Sequence, residues 1–343
     1  MVLRASKRFD AMTSRWICGP VAIAMSGVAA CGDGSSNSSG RGDASTSWTA
    51  TADAAWQDAT ASADVASPAP DVGAAPLPDA QEANASDDAG PAGADSGPTS
   101  NTVLIYGVTT PGSYRHASIP DAANAIAAAA AAVGLTTEQV GTTDATNVVD
   151  PTKFTAASLA TYGAVILLSD DGEPLGNPGT QEIQNLVDYV TQGGALVAIH
   201  CTTDSYGGGY SGPIDGVPVS VPFHDLLGAT FVTHTLLGPA TCTTVGSHVS
   251  VAQLPMTFNT TDEIYQFSDF AADNQVVMTC VAASDPQTVR QIAWYREVGA
   301  GRYFYSSLGH LSQVWTMPMD PAQPNSLLLQ NHLLPGLLWT MKR

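Results

Sequence analysis

Three histidines, two aspartates and a cysteine are placed where they could do chemistry together. His116, His200 and His310 each stand just after a stretch that reads as a β-strand, and Cys201 and Asp204 follow His200 directly. In an open α/β sheet the carboxyl ends of the strands line one edge, where ligands bind. Residues so distant in the chain can therefore meet. Neutral imidazoles with a carboxylate suit zinc or a similar divalent ion. The same groups suit proton transfer to and from a hydroxyl or carbonyl. Histidines hydrogen-bonded to loop backbone are the third possibility, and the sequence leaves all three open. On this basis His116, His200, Asp204 and His310 are the candidate catalytic residues. His116, His200 and His310 are the candidate metal ligands. Asp170 is expected nearby, as are His224 and His234 if the long loop before them folds back. No two histidines stand at the i, i+4 spacing of a helical zinc motif.

Cys201 invites a nucleophile reading, and its neighbours argue against one. A nucleophile elbow needs small residues two before and two after the nucleophile; here those are Ile199 and Thr203, and no late His-x-Glu pair follows. A buried thiol behind the site is the expectation. Tyr114, Tyr206, Tyr210 and Trp315 are aromatic candidates for stacking on a ligand ring. Tyr114, Arg115, Tyr206 and Trp315 make up the expected substrate-binding set. Trp294 reads as core, His248 and His332 as structural, and Asp262-Glu263 as an acidic turn capping a strand.

The elements that must position these residues begin at Asn101, where composition changes. Val103–Tyr106 is a first apolar strand. An Ala-rich helix runs from Ser118 and Pro120 to about Val133, with Gly134 as its stop. Leu135–Val140 and Ala164–Leu168 are the next strands. Ile183, Leu186, Val187 and Val190 recur at helical spacing. Gly193-Gly194 ends that helix, and Ala195–Ile199 is a fourth strand. Strand and helix alternate as in a parallel sheet covered on both faces. Beyond Asp204 come a long Gly/Pro-rich loop and a helical turn near Phe223–Gly228. Strands are expected around 230–235, 247–251, 276–281, 291–295 and 302–306. A last helix, Leu327–Trp339, is interrupted at Pro335.

The chain has 343 residues and a formal net charge of −19, which argues against a nucleic-acid partner. Eleven acidic residues and a single basic one, Arg41, lie between Gly32 and Ser100. That segment is Ala, Ser, Asp, Gly and Pro, too poor in branched apolar residues to offset its ordering entropy, so residues 32–101 read as a disordered spacer. Residues 1–31 read as a signal peptide: Arg4, Lys7, Arg8 and Arg15, then an apolar stretch shorter than a membrane span, then Val28-Ala29-Ala30-Cys31. That ending resembles the bacterial lipobox, which implies lipidation of Cys31, a membrane anchor and a cell-envelope location. In the bacterial sorting pattern that this resemblance implies, Gly32 after the cysteine points to the outer membrane, facing periplasm or exterior. In that oxidising compartment Cys242 and Cys280 could pair; the sequence does not decide it.

Residues 102–341 carry an ordered set of motifs: Tyr114-Arg115-His116, Gly193-Gly194…Ile199-His200…Thr203-Asp204, and Asp262-Glu263-Ile264-Tyr265-Gln266-Phe267. Ile292-Ala293-Trp294, Gly301-Arg302-Tyr303-Phe304-Tyr305 and Leu308-Gly309-His310…Trp315 complete it. The set resembles the ThuA-like (trehalose-utilisation) family. The resemblance implies a flavodoxin-like, class I glutamine amidotransferase-like α/β fold, a mostly parallel sheet flanked by helices with a β-rich C-terminal half. It further implies a carbohydrate ligand, a disaccharide or keto-sugar, either acted on or bound without catalysis by a surface lipoprotein. Cys201, where the family has a small residue, the loop 207–221 and Pro335 depart from the family pattern.

Overall fold

The computed structural model describes residues 98–177, 179–207 and 221–343. The signal segment with Cys31, nearly all of the 32–101 spacer, and Tyr210 with most of the long loop lie outside the described residues. The chain from 102 onward forms a nine-stranded sheet in the order β2-β1-β3-β4-β11-β10-β9-β6-β7. Its parallel half comprises β1 (Thr102–Tyr106), β2 (Thr136–Val140), β3 (Ala164–Leu168), β4 (Ala195–Ile199) and β11 (Gly301–Ser306). The antiparallel half adds β10 (Asp285–Val298), β9 (Gln275–Ala282), β6 (Gly238–Thr244) and β7 (Thr257–Asp262). Strands β5 (Thr230–His234) and β8 (Tyr265–Ser268) pair separately.

Period-2 alternation explains why both faces of β1 are dry. Val103 and Ile105 enter one core; Leu104 and Tyr106 enter the other. The first core is covered by α1 (Ile119–Ala132) and the C-terminal helix. Helix α1 presents Ile119, Ala122, Ala123, Ile126 and Ala130 at helical spacing, with Pro120 in its first turn. The second core is covered by α2 (Ala156–Leu159), α3 (Thr180–Thr191) and α4 (Val221–Leu227), through residues such as Leu159, Ile183, Leu186, Phe223 and Leu227. Gly193, at φ +117, turns the chain from α3 into β4, a conformation that favours glycine.

Two expectations change. No strand forms at 247–251, where the chain turns instead, and β6, β7 and β8 occupy stretches whose exposed polar residues masked the alternation. The last helix is not interrupted at Pro335: a π-helical turn, Leu329–Leu333, runs directly into α5 (Leu334–Thr340) with helical dihedrals at Leu333 and Leu334, and that wider turn accommodates a proline without an N–H. Cys242 and Cys280 are register partners on β6 and β9, and they form a disulfide. Among the described residues no helix is long and apolar enough to cross a membrane.

Candidate metal centre at the carboxyl edge of the sheet

Four loops bring four donors together. His116 comes from the loop after β1, His200 begins the 3-10 turn after β4, His310 follows β11, and Glu263 joins β7 to β8. One ligand atom from each lies within 4.8 Å of all the others. His116 Nε2 stands 2.9 Å from His200 Nε2. Glu263 Oε2 is 3.2 Å from His310 Nδ1 and 3.8 Å from His200 Nε2. His200 and His116 are buried, and the Glu263 and His310 side chains are 13% and 11% exposed, so the cluster opens on their side.

Each donor is held by identifiable contacts. His200 adopts φ +55, unusual for a residue with a Cβ, at the sharp exit of β4. The strained position is thus the imidazole's and not that of Cys201. Ser307 O, 2.6 Å away, accepts the Nδ1 proton of His200 and leaves Nε2 as a bare lone pair. Tyr305 donates its phenol proton to the His200 carbonyl at 2.7 Å. The Glu263 and His310 loops are clamped by the buried Asp262 carboxylate. It accepts from Gly309 N at 2.9 Å, Glu263 N at 2.9 Å and His310 N at 3.4 Å. Gly309 itself sits at φ +139, with Trp315 closing the space a Cβ would need.

Burial makes His116 and His200 neutral donors. It lowers the His200 pKa to about 4, partly opposed by the Glu263 charge. Burial, with the neighbouring imidazoles, also lowers His116 well below its ordinary value. Burial alone would raise Glu263, but the His310 hydrogen bond and the pull of His200 and His234 hold it below the usual range, so it is ionised. Two lone pairs facing each other at 2.9 Å repel unless a proton or a cation lies between them. Cys201 Sγ, 3.3 Å from His116 Nδ1 and 3.4 Å from Asp170 O, lets His116 take either tautomer. If the thiol donates to His116 Nδ1, His116 Nε2–H can donate to His200. If the thiol donates to Asp170 O, His116 Nδ1–H can point at sulfur and Nε2 is free for a cation.

Asp204, expected in the catalytic set, is not among the four donors. It closes the turn beyond His200, and its charge acts on Cys201, Tyr265 and Tyr305 instead. Glu263 supplies the carboxylate, whereas the Asp262-Glu263 pair had read as a strand cap. Only Asp262 does that work. Cys201 is buried, and burial together with Asp171, Asp204 and Asp170 raises its pKa well above the ordinary value, the reverse of what a nucleophile needs. Tyr114 is 54% exposed, with its ring parallel to His310 (13°, 6.5 Å) and edge-on to His116 (4.7 Å). It is the one member of the expected substrate-binding set that presents a face at the mouth. Arg115 is occupied by Asp144, Asn147 and the carbonyls of Gly107 and Gly141. Tyr206 is core, its hydroxyl bonded to Gly176 O and Leu175 N. Trp315 is 1% exposed and donates to Gly309 O, so it supports the His310 loop from within. His234 lies at the rim, with Nδ1 3.6 Å from Glu263 Oε1, while His224 turns to Tyr206 O.

The family model for ThuA, trehalose utilisation, matches residues 102–340. The chain belongs to the ThuA family. A ThuA-like protein from Bacteroides uniformis has the same fold: TM-score 0.51 at 18% identity, covering 74% of this chain and 95% of that one. A ThuA-like protein from Parabacteroides merdae aligns with TM-score 0.47 at 14% identity, covering 70% and 89%. No curated protein matches the chain. The fold of this ThuA-family chain is therefore the α/β, class I glutamine amidotransferase-like one, and its family places it in a carbohydrate-related role. Its His/Glu group is one that could hold a metal ion.

Proposed function

We propose that this ThuA-family protein is a metal-dependent enzyme acting on a disaccharide or its keto form. Zinc or a similar divalent ion would be held by His116, His200, Glu263 and His310. The observation that carries the reading is the convergence of three imidazoles and one ionised carboxylate, from four separate loops, within 4.8 Å. Burial keeps two of those imidazoles unprotonated at neutral pH, the state a cation requires. Such an ion supplies Lewis-acid polarisation of a bound oxygen. The exposed Tyr114 ring offers a flat apolar face to a sugar ring at the mouth. The lipobox-like Val28–Cys31 and the acidic spacer support a role tethered at the cell envelope, and the Cys242–Cys280 disulfide is in keeping with an oxidising compartment.

The test is metal analysis of the purified protein, followed by incubation with disaccharides and their keto forms, wild type against His200→Ala. Bound metal with turnover, both lost in the variant, is the expected result. Sugar binding that survives His200→Ala, with no turnover by wild type, would replace the enzyme with a carbohydrate-binding lipoprotein.

A further inference from the structure

Tyr265 opens β8, two residues after Glu263, and its ring is buried between Phe231 (centroids 4.6 Å apart) and His200 (4.8 Å). Its hydroxyl lies 3.2 Å from His200 Nε2. The direction of that bond is fixed from the far side of the imidazole. Ser307 O holds the ring proton on Nδ1, so Nε2 has only a lone pair and the phenol must donate. The lone pair Tyr265 uses, which His116 Nε2–H also meets when that ring carries its proton there, is therefore the one a metal ion would use.

Occupation of Nε2 by a cation removes the phenol's acceptor but leaves the phenol in place, because the packed ring cannot swing out. A buried O–H without an acceptor costs about 1–3 kcal/mol. Its neighbours are already engaged: the Phe231 contact is through the ring, the Tyr305 phenol is bonded to the His200 carbonyl and to Thr203 Oγ1, and the Glu263 carboxylate, whose charge reaches Tyr265, would itself be taken up by the ion. The group that restores the bond is an oxygen of whatever molecule binds beside the four donors. We infer that Tyr265 is a ligand-contacting residue, its phenol donating a hydrogen bond to a carbonyl, hydroxyl or carboxylate oxygen of the bound molecule. The inference rests on the metal reading of the centre. It also separates two buried tyrosines: Tyr305 positions His200 through its backbone, whereas Tyr265 faces the ligand.

The test uses Tyr265→Phe, which keeps the ring and its packing and deletes only the donor. Wild type and variant are stripped with chelator, loaded with Co(II), and titrated with acetate as the oxygen ligand, following visible absorption. The variant should bind Co(II) at least as tightly as wild type, because in wild type the ion must displace the phenol–imidazole bond. It should bind acetate about 10-fold more weakly. Equal acetate affinities, or no acetate binding by wild type, would overturn the inference. So would Co(II) affinity about 10-fold lower in the variant, which would make Tyr265 a support for His200 alone. A wild-type protein that takes up no Co(II) would instead remove the metal reading on which the inference stands.

Discussion

Replacing Glu263 by Gln tests the centre at its most informative atom. The substitution keeps size and hydrogen-bonding capacity but removes the negative charge that Glu263 brings to the three imidazoles. A unit charge pair about 4 Å apart at an effective dielectric of 20 interacts by about 4 kcal/mol. The carboxylate is already ionised in the folded protein, so most of its dehydration cost falls outside metal binding. A loss of about 2.7 kcal/mol, a 100-fold weaker Kd, is then a conservative expectation. Thermal unfolding reads it out. Zinc at 100 times the wild-type Kd stabilises by about 2.7 kcal/mol. For a domain of this size that raises Tm by roughly 5–10 °C. The same zinc concentration sits near the Kd of Glu263→Gln, contributes about 0.4 kcal/mol and raises Tm by about 1 °C. Each protein is compared with its own chelated form, so any change in apo stability cancels. An equal zinc-induced rise in the two proteins would refute the assignment of Glu263, and no rise in wild type would refute the centre.

Other expectations follow from contacts around the centre and in the core. Asp262→Ala strips the acceptor from three backbone N–H groups. It should cost about 3 kcal/mol in urea unfolding and weaken zinc binding, with Asp262→Asn milder in both. His332 donates from Nδ1 to Ser250 O and accepts from Ser306 Oγ as a neutral ring, and burial lowers its pKa to about 4. A lowered histidine pKa means that the unfolded chain binds the proton more readily. The stabilisation is full above pH 6.5 and is lost as pH falls toward 4, by up to about 3 kcal/mol. The wild-type urea midpoint in chelator should therefore fall more steeply over that window than that of His332→Gln, and parallel profiles would contradict this. Cys242→Ala/Cys280→Ala opens a link between residues 38 apart. Chain entropy puts the cost at about 4 kcal/mol, measurable as a lower unfolding midpoint, with no effect on zinc affinity.

The three histidines were legible because a parallel α/β sheet exposes the loops after its strands on a single edge. Locating the strand ends at Tyr106, Ile199 and Ser306 therefore located His116, His200 and His310. Glu263 lies in the other half of the chain. It reaches the edge only because β7 ends the antiparallel extension and β8 leaves it to pair with β5, and neither strand shows in the apolar pattern. Asp262 and Glu263 also illustrate a limit of residue type. Adjacent side chains diverge, so one carboxylate clamps backbone while its neighbour enters the cluster, and no composition rule distinguishes them.

Aromatic residues divide in the same way. Tyr114, Tyr206 and Trp315 are alike as loop aromatics in the sequence. Packing leaves Tyr114 open and buries the other two, because exposure depends on what the rest of the chain lays over them. Whether Cys242 and Cys280 pair was likewise decided by register, since β6 and β9 set the two cysteines opposite each other. Local physics, read from apolar periodicity and glycine stops, determined the parallel half of the sheet and the edge on which its loops meet. The fourth donor, the tyrosine beside His200 and the clamp between the loops are products of long-range contact, which a linear pattern does not encode.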